Sequence, residues 1–210
     1  MIKISRSLTE VYRIQADKLE DEGKSQEALQ SHIKCLESAR NSEDIISEGN
    51  ASYRIGILHY QAGELEKALD NFNSYLELSR TADYIDGVMT ALAKIAKTHQ
   101  DMGNIPKAIQ MLEQLNHEAS ENEKQAAEAE ASLQLGLLYQ QQGQSRNAVE
   151  LLDKNFNLVK KLQDRSLVDA ARVNLGMARA IRDFHEFTDI IGNDLDKLIA
   201  WKTKREKDKL

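Results

Sequence analysis

Small residues recur at intervals of forty along this chain of 210 residues. The first column of this register holds Ala16, Gly56, Ala96, Gly136 and Gly176. A second column, seven residues later, holds Gly23, Gly63, Gly103, Gly143 and then Asp183. A third, five residues further on, holds Ala28, Ala68, Ala108, Ala148 and then Thr188. Because the columns align without gaps, the chain is predicted to be an array of supersecondary repeats.

Each column has a direct physical interpretation. A glycine of the second column is expected to end one helix and begin the next, because glycine adopts backbone angles that other residues resist. A small residue of the first column is expected to lie where its helix meets a neighbour, and the alanine of the third column does the same from the second helix. At Gly56 the cost in helix propensity, about 1 kcal/mol relative to alanine, would be offset by closer helix contact.

The pattern predicts paired helices and therefore an all-α fold. The predicted helices cover approximately 8–21, 25–40, 43–61, 64–79, 84–102, 105–119, 123–142, 145–162 and 166–182. The first opens on Ser7 with Glu10 three residues later, as in a capping box, and Pro106 falls in a first helical turn, where its missing N–H does no harm. We expect an α-solenoid of about five hairpins near 7–40, 43–80, 83–120, 123–163 and 166–193.

The fifth repeat departs from the pattern. Asp183 and Thr188 replace the expected glycine and alanine, and the sequence "GND" at 192–194 predicts a break. A final helix is expected to start near Asp194, so that residues 194–210 form a capping helix with a basic tail. Terminal repeats of an array must end its hydrophobic core. Trp201, the one tryptophan of the chain, is predicted to cover the open end of the last pair.

Charge divides the chain into an acidic body and a basic end. The net charge is −6, but residues 197–210 carry +4, which leaves −10 on the rest. An acidic body argues against nucleic-acid binding. The tail could contact an acidic partner through Lys202, Lys204 and Arg205, or it could be a solvated helix end.

Signals for membrane insertion and for catalysis are absent from the sequence. It has no apolar run of about 18 residues and no apolar core of a signal peptide at its start. It also has no phosphate loop, metalloprotease motif or nucleophile elbow. Cys35, the single cysteine, is expected to be a structural thiol, and His59 and His99 share a column with Tyr139 that suits packing better than metal binding. We expect no enzymatic activity, no metal and no cofactor.

The columns resemble those of tetratricopeptide repeats. The segments "ASYRIGILHYQAGELEKALDNF" and "ASLQLGLLYQQQGQSRNAVELL" carry that pattern, and "ALAKIAKTHQDMGNIPKAIQML" carries it with Ala96 in the glycine place. The resemblance implies a right-handed superhelix of helix hairpins. The usual period is 34, and the period of 40 found here resembles that of G-protein and spindle-orientation adaptors and of some ciliary proteins.

The segment "LVDAARVNLGMARA" followed by "LDKLIAWKTKR" resembles the C-terminal half of the tetratricopeptide repeat protein 29 family. That family is associated with ciliary and flagellar axonemes and with dynein-driven motility, and its members carry a longer N-terminal part than this chain. The resemblance implies a cytoplasmic protein of the cilium or flagellum whose partners are axonemal or dynein-associated proteins.

The first helices of a repeat array line its concave side, which is the usual binding surface. By register, the predicted groove residues are Glu10, Arg13, Asp17, Asn50, Tyr53, Ile57, Tyr60, Lys94, Lys97, Gln100, Leu133, Leu137, Gln140, Val173, Asn174 and Met177. This mixture of aromatic, aliphatic and basic side chains fits an extended peptide or a partner helix. The same residues could instead merely pack within the array.

We therefore expect a non-enzymatic scaffold that docks protein partners in a ciliary or flagellar assembly. The alternative is a soluble peptide-binding adaptor, similar to the G-protein and spindle-orientation adaptors, that acts outside cilia. Neither reading involves nucleic acid or insertion into a membrane.

Overall fold

A computed structural model describes residues 2–193, 196, 199–200 and 202–203. Within those residues the regular secondary structure is entirely helical, which confirms the predicted all-α fold of paired helices. The helices are α1 (Ile2–Asp21), α2 (Ser25–Asn41), α3 (Ile45–Gln61), α4 (Leu65–Thr81), α5 (Ile85–Asp101), α6 (Ile105–Glu121), α7 (Gln125–Gln141), α8 (Ser145–Leu162) and α9 (Arg165–Asn193). None of these helices is long and apolar enough to cross a lipid bilayer.

The chain forms two compact units, Met1–Glu123 and Lys124–Leu210. In the first unit the hairpins α1–α2, α3–α4 and α5–α6 stack in chain order, because α2 packs against α3 and α4 against α5. In the second unit α8 packs against both α7 and α9. Within each unit, helices that are adjacent in sequence pack against one another, which is the packing of an α-solenoid.

Left-handed residues end the helices at both kinds of turn. Within the first four hairpins the turn glycines have φ between +73° and +77°. Between hairpins, the residues with positive φ are Glu43, Asp83, Glu123 and Gln163, again forty residues apart. At Gly63 and at Asp83 the backbone hydrogen bonds follow the same pattern, with a donor two residues past the helix bonding back to its last turn.

The turns between hairpins therefore place non-glycine residues in a conformation that glycine prefers. A left-handed conformation costs an L-residue about 1–2 kcal/mol, which glycine would avoid. Part of that gain is lost, because glycine makes the unfolded chain more flexible than aspartate does. We expect Asp83→Gly to stabilise the protein by about 0.5–1 kcal/mol, measured by urea unfolding. Gly63→Ala, which removes a glycine from the other kind of turn, should destabilise the protein. An Asp83→Gly protein less stable than the native one would contradict this account.

The small residues of the first column lie at close helix contacts in the first four repeats. Ala16 and Ala96 are buried, and so are Gly56 and Gly136. A Cβ atom added to Gly56 would lie 2.7 Å from the Phe72 ring, and one added to Gly136 would lie 2.7 Å from Cγ of Leu152. The alanines of the third column, Ala28, Ala68, Ala108 and Ala148, have no exposed surface. Hairpin helices can approach closely because neither column carries a bulky side chain.

The fifth repeat differs from the predicted hairpin. Residues 165–193 form one continuous helix, so Asp183 and Thr188 lie inside α9 and are exposed. Without a glycine at 183, nothing local ends the helix there. Gly176 is exposed, and no atom of the described residues lies within 4 Å of the position of an added Cβ, so the close contact predicted for this column is missing there.

The predicted C-terminal cap falls mostly outside the described residues. Gly192 and Asn193, two residues of the predicted break, are helical and belong to α9. Lys202 is helical and exposed. Asp194, Trp201, Lys204 and Arg205 lie outside the described part of the chain, and their predicted roles remain predictions.

Candidate functional site

A cavity of about 400 Å³ lies between α1, α2 and α3 in the first unit. Five of the predicted groove residues line it: Glu10, Arg13, Asp17, Asn50 and Tyr53. The remaining lining residues were not predicted: Thr9, His32, Cys35, Ser47, Ala51 and Arg54. The cavity therefore combines the first helices of two repeats with the second helix of the first.

Two arginines hold the acidic side chains of the cavity. The Arg13 guanidinium donates to Glu10, from Nε to Oε2 at 3.0 Å, and to Asp17, from Nη1 to Oδ2 at 2.9 Å. The hydrogen bond from Arg13 lowers the pKa of the Glu10 carboxyl. Arg54 of α3 donates to Glu20 of α1. Charged groups of both signs thus face the cavity with their positions set by one another.

A buried histidine completes this network. His32 is 1% exposed, and its Nε2 lies 2.6 Å from Oε1 of Glu20. The positions forty residues apart from His32 hold Phe72, Leu112 and Leu152, all apolar. The first repeat has therefore replaced a core hydrophobic residue with a hydrogen-bonded polar one. This departure from the column is the signal in the sequence that could have identified His32.

The same group is the best metal candidate among the described residues. Asp17, Glu20 and His32 each offer one ligand atom, and these atoms lie within 4.8 Å of one another. However, each carboxylate already accepts a hydrogen bond from an arginine. Two guanidinium groups this close repel a divalent cation, and the hydrogen bonds already satisfy the carboxylates. We therefore interpret the group as an ion-paired network that shapes the cavity.

Cys35 is one of the residues that line the cavity and is 3% exposed. Its Sγ lies 3.4 Å from the carbonyl oxygen of Thr9, to which the thiol donates. Burial is the main cause that raises the pKa of the thiol, to about 11. Because the thiolate is the nucleophile, a thiol with this pKa and burial is poorly suited to catalysis.

We expect the Cys35 thiol to be unreactive in the folded protein. At pH 8 the thiol should be almost fully protonated and sterically covered, so labelling of the folded protein requires the structure to open. Ellman's reagent should therefore label it at least about a hundredfold more slowly in buffer than in 6 M guanidinium. The measurement is the absorbance of released thionitrobenzoate with time. Rapid labelling without denaturant would show that the thiol is accessible and activated.

Tyr53 contributes to the cavity and to the core at once. Its ring lies 6.1 Å from the Phe72 ring and 5.1 Å from the Tyr75 ring, measured between centroids. Burial raises the pKa of the Tyr53 hydroxyl. Tyr53 is therefore held rigidly by the α3–α4 hairpin while part of its side chain remains at the cavity wall, which suits a contact residue with little entropy to lose.

Tyr60 and Lys97, both predicted groove residues, meet at Asp101. The Tyr60 hydroxyl of α3 donates to the Asp101 carboxylate of α5, and Nζ of Lys97 lies 2.8 Å from Asp101 Oδ1. The hydrogen bond to Asp101 is the main cause that raises the pKa of Tyr60 to about 12, and the hydrogen bond from Lys97 most strongly lowers that of Asp101. These residues connect neighbouring repeats, and they do not line the cavity. Ile57, Lys94 and Gln100 are half-buried in the same unit.

The predicted groove residues of the second unit divide between packing and exposure. Leu133 packs against the buried cluster of Val149, Leu152, Leu175 and Ala178. Leu137, Gln140 and Asn174 are half-buried, whereas Val173 and Met177 are exposed. Leu133 thus supports the reading that some of these residues serve packing within the array.

His59 and His99, which share a predicted packing column with Tyr139, are half-buried. Nδ1 of His59 lies 2.6 Å from Oε2 of Glu64, across the turn of the second hairpin. Burial lowers the pKa of His99, and its Nδ1 has no hydrogen-bond partner among the described residues. Neither belongs to a candidate metal group in the described part of the chain.

Comparison with known proteins supports the repeat assignment. Residues 130–154 match the tetratricopeptide repeat family. Tetratricopeptide repeat protein 29 of Macaca fascicularis is 30% identical over 205 residues, which cover 95% of this chain and 43% of the relative. The protein of that name from Homo sapiens is 29% identical over the same lengths, and that from Trypanosoma brucei brucei is 26% identical over 156 residues. The chain spans less than half the length of these relatives.

Solved structures share the fold at low sequence identity. BtubC (BKLC) from P. vanneervenii superposes with a TM-score of 0.73 at 16% identity, over 98% of this chain and 88% of that one. The apo form of RapI gives a TM-score of 0.77 at 12% identity, over 88% and 51%. The TPR-like repeats of a putative kinesin light chain from Podosopora anserina give 0.65 at 16% identity, over 98% of both chains. The family match at 130–154 and the sequence relatives support a tetratricopeptide repeat protein that resembles tetratricopeptide repeat protein 29, and the solved structures show the fold alone.

Proposed function

We propose that this protein is a non-enzymatic scaffold that binds protein partners in a ciliary or flagellar axonemal assembly connected with dynein-driven motility. The observation that carries the docking role is the cavity between α1, α2 and α3. Its walls combine a rigid aromatic ring with charged groups of both signs, which suits a peptide segment carrying polar and aromatic side chains. The axonemal location is supported by the resemblance to tetratricopeptide repeat protein 29.

The cavity is proposed to act by shape and fixed charge. Arg13 and Arg54 are held by acidic neighbours within the same network. A partner that enters the cavity therefore meets hydrogen-bonding groups that are already ordered, and little side-chain entropy is lost on binding. No step in this role requires a nucleophile, a metal or a cofactor.

A substitution that fills the cavity with a large side chain tests this proposal. Asn50 is exposed and lines the cavity, so Asn50→Trp should block partner entry without disturbing the core. The measurement is co-sedimentation of the purified chain with axonemes from which salt has extracted peripheral proteins. The native chain should co-sediment, Asn50→Trp should lose at least about tenfold in affinity, which is about 1.4 kcal/mol, and Asn73→Trp, on an exposed face of α4, should behave as native.

The same co-sedimentation experiment distinguishes the proposed axonemal scaffold from the alternative function. A soluble peptide-binding adaptor that acts outside cilia would use the same cavity but would show no affinity for axonemes. A native chain that remains in the supernatant, together with a tagged chain spread through the cytosol of ciliated cells, would contradict the axonemal role. Equal binding by Asn50→Trp and Asn73→Trp would contradict the role of the cavity.

A further inference from the structure

His32 is a polar residue in a column of the repeat that is otherwise apolar and buried. It is 1% exposed, and its equivalents in the next three repeats, Phe72, Leu112 and Leu152, are core residues. Burying a polar ring costs free energy that its hydrogen bonds offset only in part, so an apolar side chain is expected to be at least as stable here. A site where one repeat breaks the rule of the array in this way is a candidate for a functional role.

The hydrogen bonds of His32 lead from the core of the first hairpin to the wall of the cavity. Because a carboxylate accepts hydrogen bonds and does not donate them, Nε2 of His32 donates to Oε1 of Glu20, 2.6 Å away. The other oxygen of Glu20, Oε2, accepts from Nη2 of Arg54. The side chain of Glu20 is 18% exposed and that of Arg54, which lines the cavity, is 40% exposed. These three residues form a relay from α2 through α1 to α3.

The next pair of repeats is joined without a polar residue in the core. Tyr60 is the equivalent of Glu20, and its hydroxyl donates to Asp101 of α5. The equivalent of His32 in that repeat is Phe72, which has no exposed surface. A hydrogen bond between the first helices of neighbouring repeats therefore does not require a buried histidine. What His32 adds is a fixed orientation of the Glu20 carboxylate, and with it of Arg54.

Arg54 keeps donors for a partner. A guanidinium group carries five N–H donors, and apart from the bond to Glu20 no hydrogen bond joins Arg54 to another of the described residues. Glu10, Asp17 and Arg13 also line the cavity, so its surroundings hold no excess of positive charge that would attract an anion. An uncharged acceptor, such as the main-chain carbonyl oxygen of an extended peptide, suits the free donors of Arg54.

We propose that His32 is a positioning residue for partner binding in the cavity. By fixing Glu20 from the core, it orients the Arg54 guanidinium, which donates to an uncharged carbonyl or amide oxygen of the partner segment. An arginine that is already oriented loses less side-chain entropy on binding, and the repeat gives up some stability at position 32 in exchange. This inference rests on the docking role proposed above for the same cavity, and it names the chemical group that the cavity recognises.

Replacing His32 by the residue of its own column tests the relay. In His32→Leu, position 32 carries the side chain of Leu112 and Leu152, and Glu20 is exposed enough to turn towards water, so no buried charge is left unpaired. The melting temperature, followed by circular dichroism, should therefore equal or exceed the native value. Co-sedimentation of the full chain with salt-extracted axonemes should nevertheless show an affinity about fivefold lower. His32→Gln, which restores an N–H donor for Glu20, should recover most of the native affinity.

Two further variants separate the relay from general effects on the core. Arg54→Met keeps the apolar stem and removes the donors, so it should lose at least as much affinity as His32→Leu, and equally at about 50 and 200 mM salt, because the partner oxygen is uncharged. Asn155→Leu is the matched control. Asn155 is 3% exposed and also polar in a column that holds Leu115, but it donates to the carbonyl oxygen of Ala129 in the second unit. Asn155→Leu should bind axonemes as the native chain does.

The outcomes distinguish this inference from the proposed function. Native affinity in His32→Leu or Arg54→Met, while Asn50→Trp blocks binding, would overturn the relay and leave the docking function standing. A His32→Leu protein that melts well below the native chain would also overturn it, because the histidine would then be structural. A loss in Arg54→Met that shrinks with salt would overturn the uncharged partner group. A native chain that does not co-sediment would overturn the proposed function and this inference together.

Discussion

Gly136→Ile should destabilise the protein by about 3 kcal/mol or more, because it overpacks a close helix contact. The first atom of the new side chain would lie 2.7 Å from Cγ of Leu152 and 3.4 Å from the backbone oxygen of Ala148. Leu152 has no exposed surface and packs within the cluster that joins α8 to α9. It cannot move aside without opening that cluster. The measurement is urea unfolding followed by circular dichroism.

Gly176→Ile is the matched control for this prediction. It is the same change in the same column and also on a first helix, but there is no described neighbour around the new side chain. Its effect should stay within about 0.5 kcal/mol, as should that of isoleucine at exposed Gln141. An unchanged melting temperature in Gly136→Ile, or equal losses at both glycines, would contradict the close-contact interpretation of the column.

Phe72→Ala should destabilise the protein by about 3–5 kcal/mol, the range for removing a buried aromatic ring. Phe72 has no exposed surface, covers Gly56 and lies beside Tyr53. The cavity left behind would open between α3 and α4, and helix backbones fixed by their own hydrogen bonds would close it only in part. The free energy of unfolding in urea measures this loss.

A double-mutant cycle shows whether the effects of changing Phe72 and Gly56 on the free energy of unfolding are coupled, as expected of residues in contact. In the native background Gly56→Val should be strongly destabilising, because its Cβ would lie 2.7 Å from the Phe72 ring. In the Phe72→Ala background the same side chain enters the vacated space and should cost at least about 1 kcal/mol less, which is the coupling expected of residues in contact. Additive effects would mean that the two positions do not share the space.

Much of the fold could be predicted because its causes are local. The glycine of each hairpin turn adopts its positive φ through its own lack of a side chain, and the helices on either side meet the turn within a few residues of the predicted bounds. The helix predicted over 64–79, for example, is Leu65–Thr81. The predicted start of the first helix at the Ser7 capping box was wrong, because α1 begins at Ile2. Burial of the first and third columns followed from periodicity, since residues in equivalent places of a stack share their environment.

The turns between hairpins were predicted in position, but their conformation was not. Glu43 and Asp83 adopt left-handed angles without being glycine. Packing of the helices on both sides compensates for that local strain, and packing energy has no signature in a single residue. The helix predicted to end near Arg182 instead continues as α9 through Asp183, where no glycine ends it.

The candidate site was predicted in part. Glu10, Arg13, Asp17, Asn50 and Tyr53 were found by their register on first helices. His32 and Arg54 were missed because their roles depend on Glu20, which lies 12 and 34 residues away in sequence. A polar residue in an apolar column marks such a position, but only the three-dimensional neighbours show what it bonds to.

By itself the sequence determined the repeat, its period, the paired helices and the small residues at which those helices approach closely. Each of these depends on local backbone preference and on equivalence between repeats. The tertiary structure alone decided where the array departs from that equivalence. It joined His32, Glu20 and Arg54 beside a cavity, and no helix in the described part of the chain covers Gly176. Contacts between distant residues and the lack of a neighbour are properties of the folded chain, and no column of the sequence records them.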